Sequence, residues 1–432
     1  MNTKSYIKVR YEQLKGEQHS PALDTIRESG FSAFSQMGIP TVKHEEWKYT
    51  RISPLFDKDF LFGNAIPHGI SVDDFKSLRL AGADNANELV FVNGIFTPEH
   101  SVVRSGELVV LPLEKAAENE YADVVKANLG HSSRYLKDGL NAMNTALLEG
   151  GIFIHVPKGK IASHPVYIYN IADARASNVV AQPRSLIHVG EHAQIQLVET
   201  YTTLGLGETL TNQVMEVVVE KDAMVEYYKI QNDSSQANQV STTHFRQVGK
   251  SYVHTVVISL DGGIIRNNLN IVMEAEYCES HLYGLYFLSG QTHVDNHTVV
   301  DNVKPHCLSN ELYKGILDGQ SAGVFNGKIF VQPQAQKINA YQSNKNVLLS
   351  NTASVNTKPQ LEIFADDVKC SHGCTVGRLN EEGLFYLRSR GITEKRAKSL
   401  LVHAFAVDIL EYIKPQPIRD LVDRLISERL EF

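Results

Sequence analysis

At 432 residues the chain exceeds the roughly 100 to 200 residues of a typical domain, and 43% hydrophobic with 21% charged residues exclude a disordered chain. A formal charge of -7, from 42 basic against 49 acidic residues, argues against a phosphate-neutralising surface and hence against nucleic acid as a partner. Met1 to Arg10 carries no apolar h-region and no stretch reaches the ~18 apolar residues of a membrane span, while the four cysteines, Cys278, Cys307, Cys370 and Cys374, are too few for a secreted disulfide framework; a cytoplasmic protein without membrane contact is expected.

Residues 1–148 read as a mixed helical and strand region. Pro21 to Met37 has helical spacing and closes at Gly38-Ile39-Pro40, and Leu89 to Phe96 alternates like a short strand. Tyr121 to Leu148 reads as one further helix, its apolar positions Val124, Val125, Leu129, Leu136, Leu140, Met143 and Leu147 recurring at three-to-four spacing before Gly150-Gly151.

Residues 149–377 change character. Runs rich in Val, Ile, Tyr and Thr, such as Ile152 to Val156, Val166 to Ile171, Met215 to Val219 and Val225 to Ile230, alternate with Gly, Asp and Asn, and helical periodicity disappears. A phrase recurs: Val189-Gly-Glu-His-Ala193-Gln-Ile-Gln-Leu197 returns 30 positions later as Val219-Glu-Lys-Asp-Ala223-Met-Val-Glu-Tyr227, with Val248-Gly-Lys-Ser-Tyr252 as a looser third copy. A period in that range marks a solenoid, because one repeat has to stack on its neighbours to bury its apolar face. A large β-sandwich is the alternative reading of the same strands.

Residues 378–432 turn helical. Asn380 caps a helix opened by Glu381 and Glu382 and stopped by Gly391; Thr393 caps a second, with Ala397, Leu400, Leu401, Ala404, Val407 and Leu410 expected on one face; after Pro415 and Pro417 a third carries Ile418, Leu421, Val422 and Leu425.

The densest chemical cluster is Asp366-Asp367-Val368-Lys369-Cys370-Ser371-His372-Gly373-Cys374. On a strand, Cys370, His372 and Cys374 share a face, and thiolate with imidazole suits zinc or iron. Neighbours on that face lie ~6.6 Å apart and can share an ion; Cys370 and Cys374, ~13 Å apart, can do so only if Gly373 bends the strand. Two ligands leave the site incomplete, so a partner would have to supply the rest. A buried cysteine and a hydrogen-bonded histidine at the end of the solenoid remain the plainer reading. His293, Asp295 and His297, with Asp301, His306 and Cys307 nearby, form a second same-face group with the make-up of a metal or acid-base site, for which a polar ladder on a solvated solenoid face is the stronger reading. Trp47, the only tryptophan, lies among charges and suits either a partner anchor or packing at a domain edge.

Phosphate motifs fail on their own rules. Gly323-Val-Phe-Asn-Gly327-Lys328-Ile329 is one residue short of a Walker loop and has Ile where Mg²⁺ needs a hydroxyl; Gly205-Leu-Gly207 lacks the third glycine of a dinucleotide loop.

Lys358-Pro-Gln-Leu-Glu-Ile-Phe-Ala-Asp-Asp-Val-Lys-Cys-Ser-His-Gly373, with Thr375-Val-Gly377 and Leu384-Phe-Tyr-Leu-Arg-Ser-Arg-Gly-Ile392, closely resembles the signature of the SufB/SufD family of iron-sulfur cluster assembly proteins. Gly323 to Gly327, Asn344 to Leu349 and Pro40 to Thr50 resemble it as well. The resemblance implies a right-handed parallel β-helix between an N-terminal mixed α/β domain and a C-terminal helical domain. It implies a scaffold that is not an enzyme, paired edge to edge with SufB, its tail docked on the ATPase SufC with Leu401, Ala404 and Phe405 as contact residues. His372 and Cys370 fall on the family's Cys-Ser-His-Gly positions, where the histidine is implied to be an interface ligand completed by a SufB cysteine. No cofactor is then expected in the isolated chain, only a transient iron-sulfur cluster at the SufB interface. Cys374 departs from the pattern, which often has Ala there. A stand-alone metal-binding protein and a β-helix carbohydrate-active enzyme are the competing readings; the second needs a carboxylate pair on one groove, and Asp366 and Asp367, being adjacent, face opposite ways. An edge shaped for a related β-helix also suggests a homodimer in isolation.

Overall fold

The computed structural model describes residues 3–16, 21–63 and 69–430; Met1 and Asn2, at the head of the stretch read for a leader, lie outside them. From Ile152 onward successive strands alternate between two sheets, and each strand pairs in parallel with the strand one coil before and one coil after it. This is a β-solenoid of about eight turns, not a sandwich, since strands adjacent in sequence sit in different sheets.

The recurring phrase is the corner of a coil. Gln194 pairs with Met224 and Ile195 with Val225, the 30-residue offset seen in the sequence. Ala193 and Ala223 are buried at that corner, and the later coils put Ser251, Cys278, Cys307 and Ile338 in the same column, the carbonyls from Ala193 to Cys307 each accepting from an amide of the next coil. Just before this column the chain turns through the left-handed region at His192, Asp222, Tyr277, His306 and Lys337, with φ from 56° to 62°. A non-glycine residue pays about 1–2 kcal/mol there, offset by the ladder bond its amide gives to the next coil.

Side chains pointing inward form one continuous core from Leu89 to Cys370. Large groups sit opposite glycines: a Cβ at Gly284 would run into the Tyr313 ring, one at Gly315 into Tyr286 and Asn346, and one at Gly327 into Gln342. The Gly323 to Gly327 segment is thus strand, within Ala322–Val331.

The N-terminal region joins the solenoid instead of standing apart. Asn87–Val92 adds a parallel strand to one sheet, then reverses through Asn93 and Gly94, both at positive φ, into Ile95–Phe96; Val109–Pro112 pairs antiparallel with Ile152–Val156 on the other. The strand read over Leu89 to Phe96 is therefore a hairpin, closed by the Asn-Gly pair that suits a two-residue turn. The helix expected over Tyr121 to Leu148 is three, Ala122–Asn128, His131–Tyr135 and Gly139–Ala146. Gly130 takes a left-handed conformation while its amide and that of Ser132 donate to the buried Glu216 carboxylate, and Asp138 caps the last piece. Glu216 in turn pairs with buried Arg184 at 2.7 Å.

Helices cover the outer faces of both sheets. Leu140 and Met143 of the N-terminal side pack on Val180, Leu210 and Val240. The three tail helices are Glu381–Ser389, Glu394–Leu410 and Gln416–Leu430, with Asn380 and Thr393 capping as expected. The buried residues of the second are Ala397, Val402, Ala406, Ile409 and Leu410, the last four packed toward Tyr228, Val256, Ile258, Leu285 and Phe287; of the stripe expected with Ala397 and Leu410, Leu401 and Val407 are half-buried and Leu400 and Ala404 exposed. His254 Nε2 donates to the Tyr412 carbonyl at 2.8 Å, and Lys314 pairs with Asp408.

Burial holds the His254 imidazole down at about 4. An imidazole depressed from an unfolded value of about 6.5 contributes stability above that pH and loses it as the pH falls toward 4, an increment of roughly 3 kcal/mol. Chemical denaturation along a pH series is expected to show this increment in the wild type and to lack it in His254→Asn.

Candidate functional site

The two ends of the solenoid differ. The first coil is closed by the hairpin and by the antiparallel strand, whereas the last strands, Ser354–Thr357 and Gln360–Ile363 in one sheet and Val368–Gly377 in the other, have a neighbour on one side only. Residues 371–377 are all exposed, and Ile363, Phe364 and Val376 add exposed apolar surface. An edge of this kind presents a row of unpaired amides and carbonyls and is a template for another strand.

Cys370, His372 and Cys374 sit on that edge strand, in register with Ala340, Gln342 and Asn344. The three partners are buried inward, and Val368 and Cys370 pack against the interior core, so by alternation the trio continues the inner face of the solenoid into solvent. The register runs unbroken through Ser343 and Gly373. Without a bend, Cys370 and His372 remain within reach of one ion and Cys374 does not. Cys370 is half-buried, and that burial pushes its thiol up, only partly countered by a bond from the Ala340 backbone. The thiolate, the form of cysteine that binds metal, is correspondingly less populated there. Imidazole needs no such activation to bind iron.

The His293, Asp295 and His297 group has a different role. Thr50 Oγ1 donates to Asp295 Oδ2 at 2.5 Å and lies 2.8 Å from His293 Nε2; Arg266 reaches the same carboxylate at 2.7 Å, and His297 Nε2 the other oxygen at 2.9 Å. Arg266 also lies 4.0 Å over the Trp47 ring, whose Nε1 donates to Asp138 at 2.8 Å, and Lys328 pairs with Glu46 at 2.5 Å. Trp47 is buried, so packing accounts for it. This network fastens Glu45–Trp47 and Thr50 to the outer face of the solenoid. Burial alone would raise the Asp295 carboxyl, but the charges of His297 and Arg266 and the hydrogen bonds from His297 and Thr50 hold it well below the usual carboxylate range. Asp301 accepts from Tyr135 and Gln332, and His306 stacks on Tyr277 at a corner.

Of the tail residues, Leu401 is half-buried, Ala404 exposed, and Phe405 turned onto the solenoid, where Lys314 Nζ lies 4.4 Å from its ring. The exposed apolar side chains there are Phe385, Tyr386 and Leu400, at 75%, 57% and 45%. Phe385 and Tyr386 escape sequence reasoning because apolar residues in a short helix look like core.

Removing Asp295 leaves Arg266 buried without its partner, so Asp295→Ala is expected to cost about 3–5 kcal/mol in chemical denaturation.

Comparison with known proteins agrees with the geometry. The family model described as "SUF system FeS cluster assembly, SufBD core domain" matches residues 171–405, and that described as "SufBD protein N-terminal region" matches residues 2–168. An iron-sulfur cluster assembly SufBD family protein of Synechocystis is 30% identical over 92% of this chain and 88% of its own length. The iron-sulfur cluster assembly protein SufD of Escherichia coli is 28% identical over 91% and 90%, and SufD of Bacillus subtilis 26% over 99% and 98%. The chain belongs to the SufBD family of iron-sulfur cluster assembly proteins.

Proposed function

We propose that this SufD homologue is a scaffold that lends half of a cluster-assembly site. Its open solenoid edge pairs with SufB, and its helical tail docks on SufC, which supplies the ATP hydrolysis. One observation carries the reading: the strand that bears Cys370 and His372 on one face has a neighbour on one side only. A site with two protein ligands becomes complete when a second edge covers it, and an apolar, water-poor enclosure then controls iron and sulfide access. The cluster is cargo, formed there and passed on. His372 is the ligand and Cys370 a secondary one. A cytoplasmic setting fits the four free thiols.

For the tail, exposed Phe385, Tyr386 and Leu400 are the natural anchors for SufC, with Leu401 and Ala404 beside them. Aromatic anchors in a desolvated contact commonly cost about 2 kcal/mol or more when removed. In isolation the same edge accepts a second copy of the chain; sedimentation showing only monomer at micromolar concentration would sink that expectation.

The chain is tested by co-purification with SufB and SufC of its own organism, comparing wild type with His372→Ala. The expected result is an intact complex in both and loss of cluster iron in the variant alone. Equal iron in both removes His372 from the site, and failure of the wild type to form the complex removes the scaffold reading. Phe385→Asp with Leu400→Asp is expected to abolish SufC capture while leaving SufB pairing intact.

A further inference from the structure

The interior of the solenoid turns polar just beneath the open edge. Reading one inward column along the ladder, Leu282 is followed by Glu311, Gln342 and His372, each paired in register with the next. Coils are spaced ~4.8 Å apart, so His372 lies about 5 Å from Gln342 and about 10 Å from Glu311 along this column. Glu311 and Gln342 are 4% and 3% exposed. Gln342 Nε2 donates to Glu311 Oε2 at 2.8 Å. Gln342 Oε1 and Glu311 Oε1 are buried and have no partner. A buried acceptor left open costs about 1–3 kcal/mol and calls for an explanation. Gly327, on the opposite sheet, leaves the space the Gln342 amide occupies.

We propose that Gln342 and Glu311 are positioning residues for His372: the Gln342 amide fixes the tautomer of the His372 ring, and the proton on Glu311 decides which end of that amide the ring meets. This rests on the assembly role of His372 proposed above. With Glu311 ionised, both its oxygens accept, Gln342 Nε2 donates downward, and the open Oε1 accepts an N–H from His372. The other ring nitrogen is then bare and available to a metal. With Glu311 protonated, its O–H donates to Gln342 Oε1 and the amide turns over. Nε2 then meets His372 and occupies a bare ring nitrogen. The proton exchanges with water at the open end.

The surroundings of Glu311 suit such a switch. Burial lifts its carboxyl to about 7, only partly offset by the Gln342 amide and the nearby Thr298 hydroxyl. Its own strand and the strand below present the phenols of Tyr313 and Tyr286, both pushed up by burial and neutral. The strands above and opposite present Gln342, Thr298 and Gly327, none of which titrates. Among the described residues no lysine or arginine pairs with Glu311.

The test uses the full chain with ¹⁵N-labelled histidine and glutamine, His372 and Gln342 being assigned from the difference spectra of His372→Asn and Gln342→Met, titrated between about pH 5.5 and 8.5. In the wild type the Gln342 amide signal is expected to inflect near pH 7, with the His372 tautomer ratio changing at least about twofold across it, the shift an ordinary hydrogen bond produces. Glu311→Gln, which keeps shape but not titration, is expected to remove the inflection from both. Gln342→Met is expected to remove it from His372 while Glu311 stays in place, which keeps the proposal falsifiable if Glu311→Gln fails to fold. An unchanged His372 profile in either folded variant overturns it. Because the readout is the isolated chain, failure here leaves the assembly role of His372 standing, and failure of that role leaves this coupling measurable.

Discussion

Everything in this molecule follows from one constraint: parallel coils hydrogen-bond in register, so residues at equal positions on successive coils stand directly above one another. The ladder satisfies backbone groups through every coil and passes the unsatisfied edge along to the last one. At the first coil the chain spends its own N-terminal segment on that problem, with Asn87–Val92 and Val109–Pro112 completing the two sheets. At the last coil no segment of the described chain does so. A solenoid left open at one end is soluble and stable only if that end is small, polar or covered, and this one carries Ile363, Phe364 and Val376 in the open.

The outer faces are closed by a division of labour. N-terminal helices and the Glu46, Arg266, Asp295 and Lys328 network cover one sheet, and the tail helices cover the other. The final edge and the outer side of the tail both leave apolar side chains exposed, Ile363, Phe364 and Val376 on the first and Phe385, Tyr386 and Leu400 on the second. Stacking also transmits position along the interior, which is how a glutamate 61 residues before His372 in the chain comes to lie in its column.

The alternation of Cys370 and His372 is legible because a strand has period two whatever surrounds it. The 30-residue echo of Ala193 at Ala223 is legible because those two coils have equal length and similar corners. Later coils fade from view: Tyr252 pairs with Glu279 and Leu308 with Asn339, so the spacing drifts, and the corner asks only for a residue that fits, accepting Ser251, Cys278 and Ile338 alike. The breaks at Gly130 and Asp138 escape sequence reading because one of them depends on Glu216, a strand residue far away in the chain. From Leu400 onward the tail helix Glu394–Leu410 carries apolar residues on every side, so periodicity alone selects no face; the sheet beneath selects Val402, Ala406 and Ile409. The Glu311, Gln342 and His372 column was invisible for a related reason, since it requires the register of coils with unequal lengths.

The central claim is that the open edge at Val368–Gly377 is the surface a partner solenoid completes. Amide hydrogen exchange of the chain alone and in complex with SufB reads it most directly. The account predicts fast exchange of unpaired amides in this strand in the free chain and strong protection of the same strand in the complex. Protection confined to the outer sheet faces, with this strand exchanging as before, would contradict it.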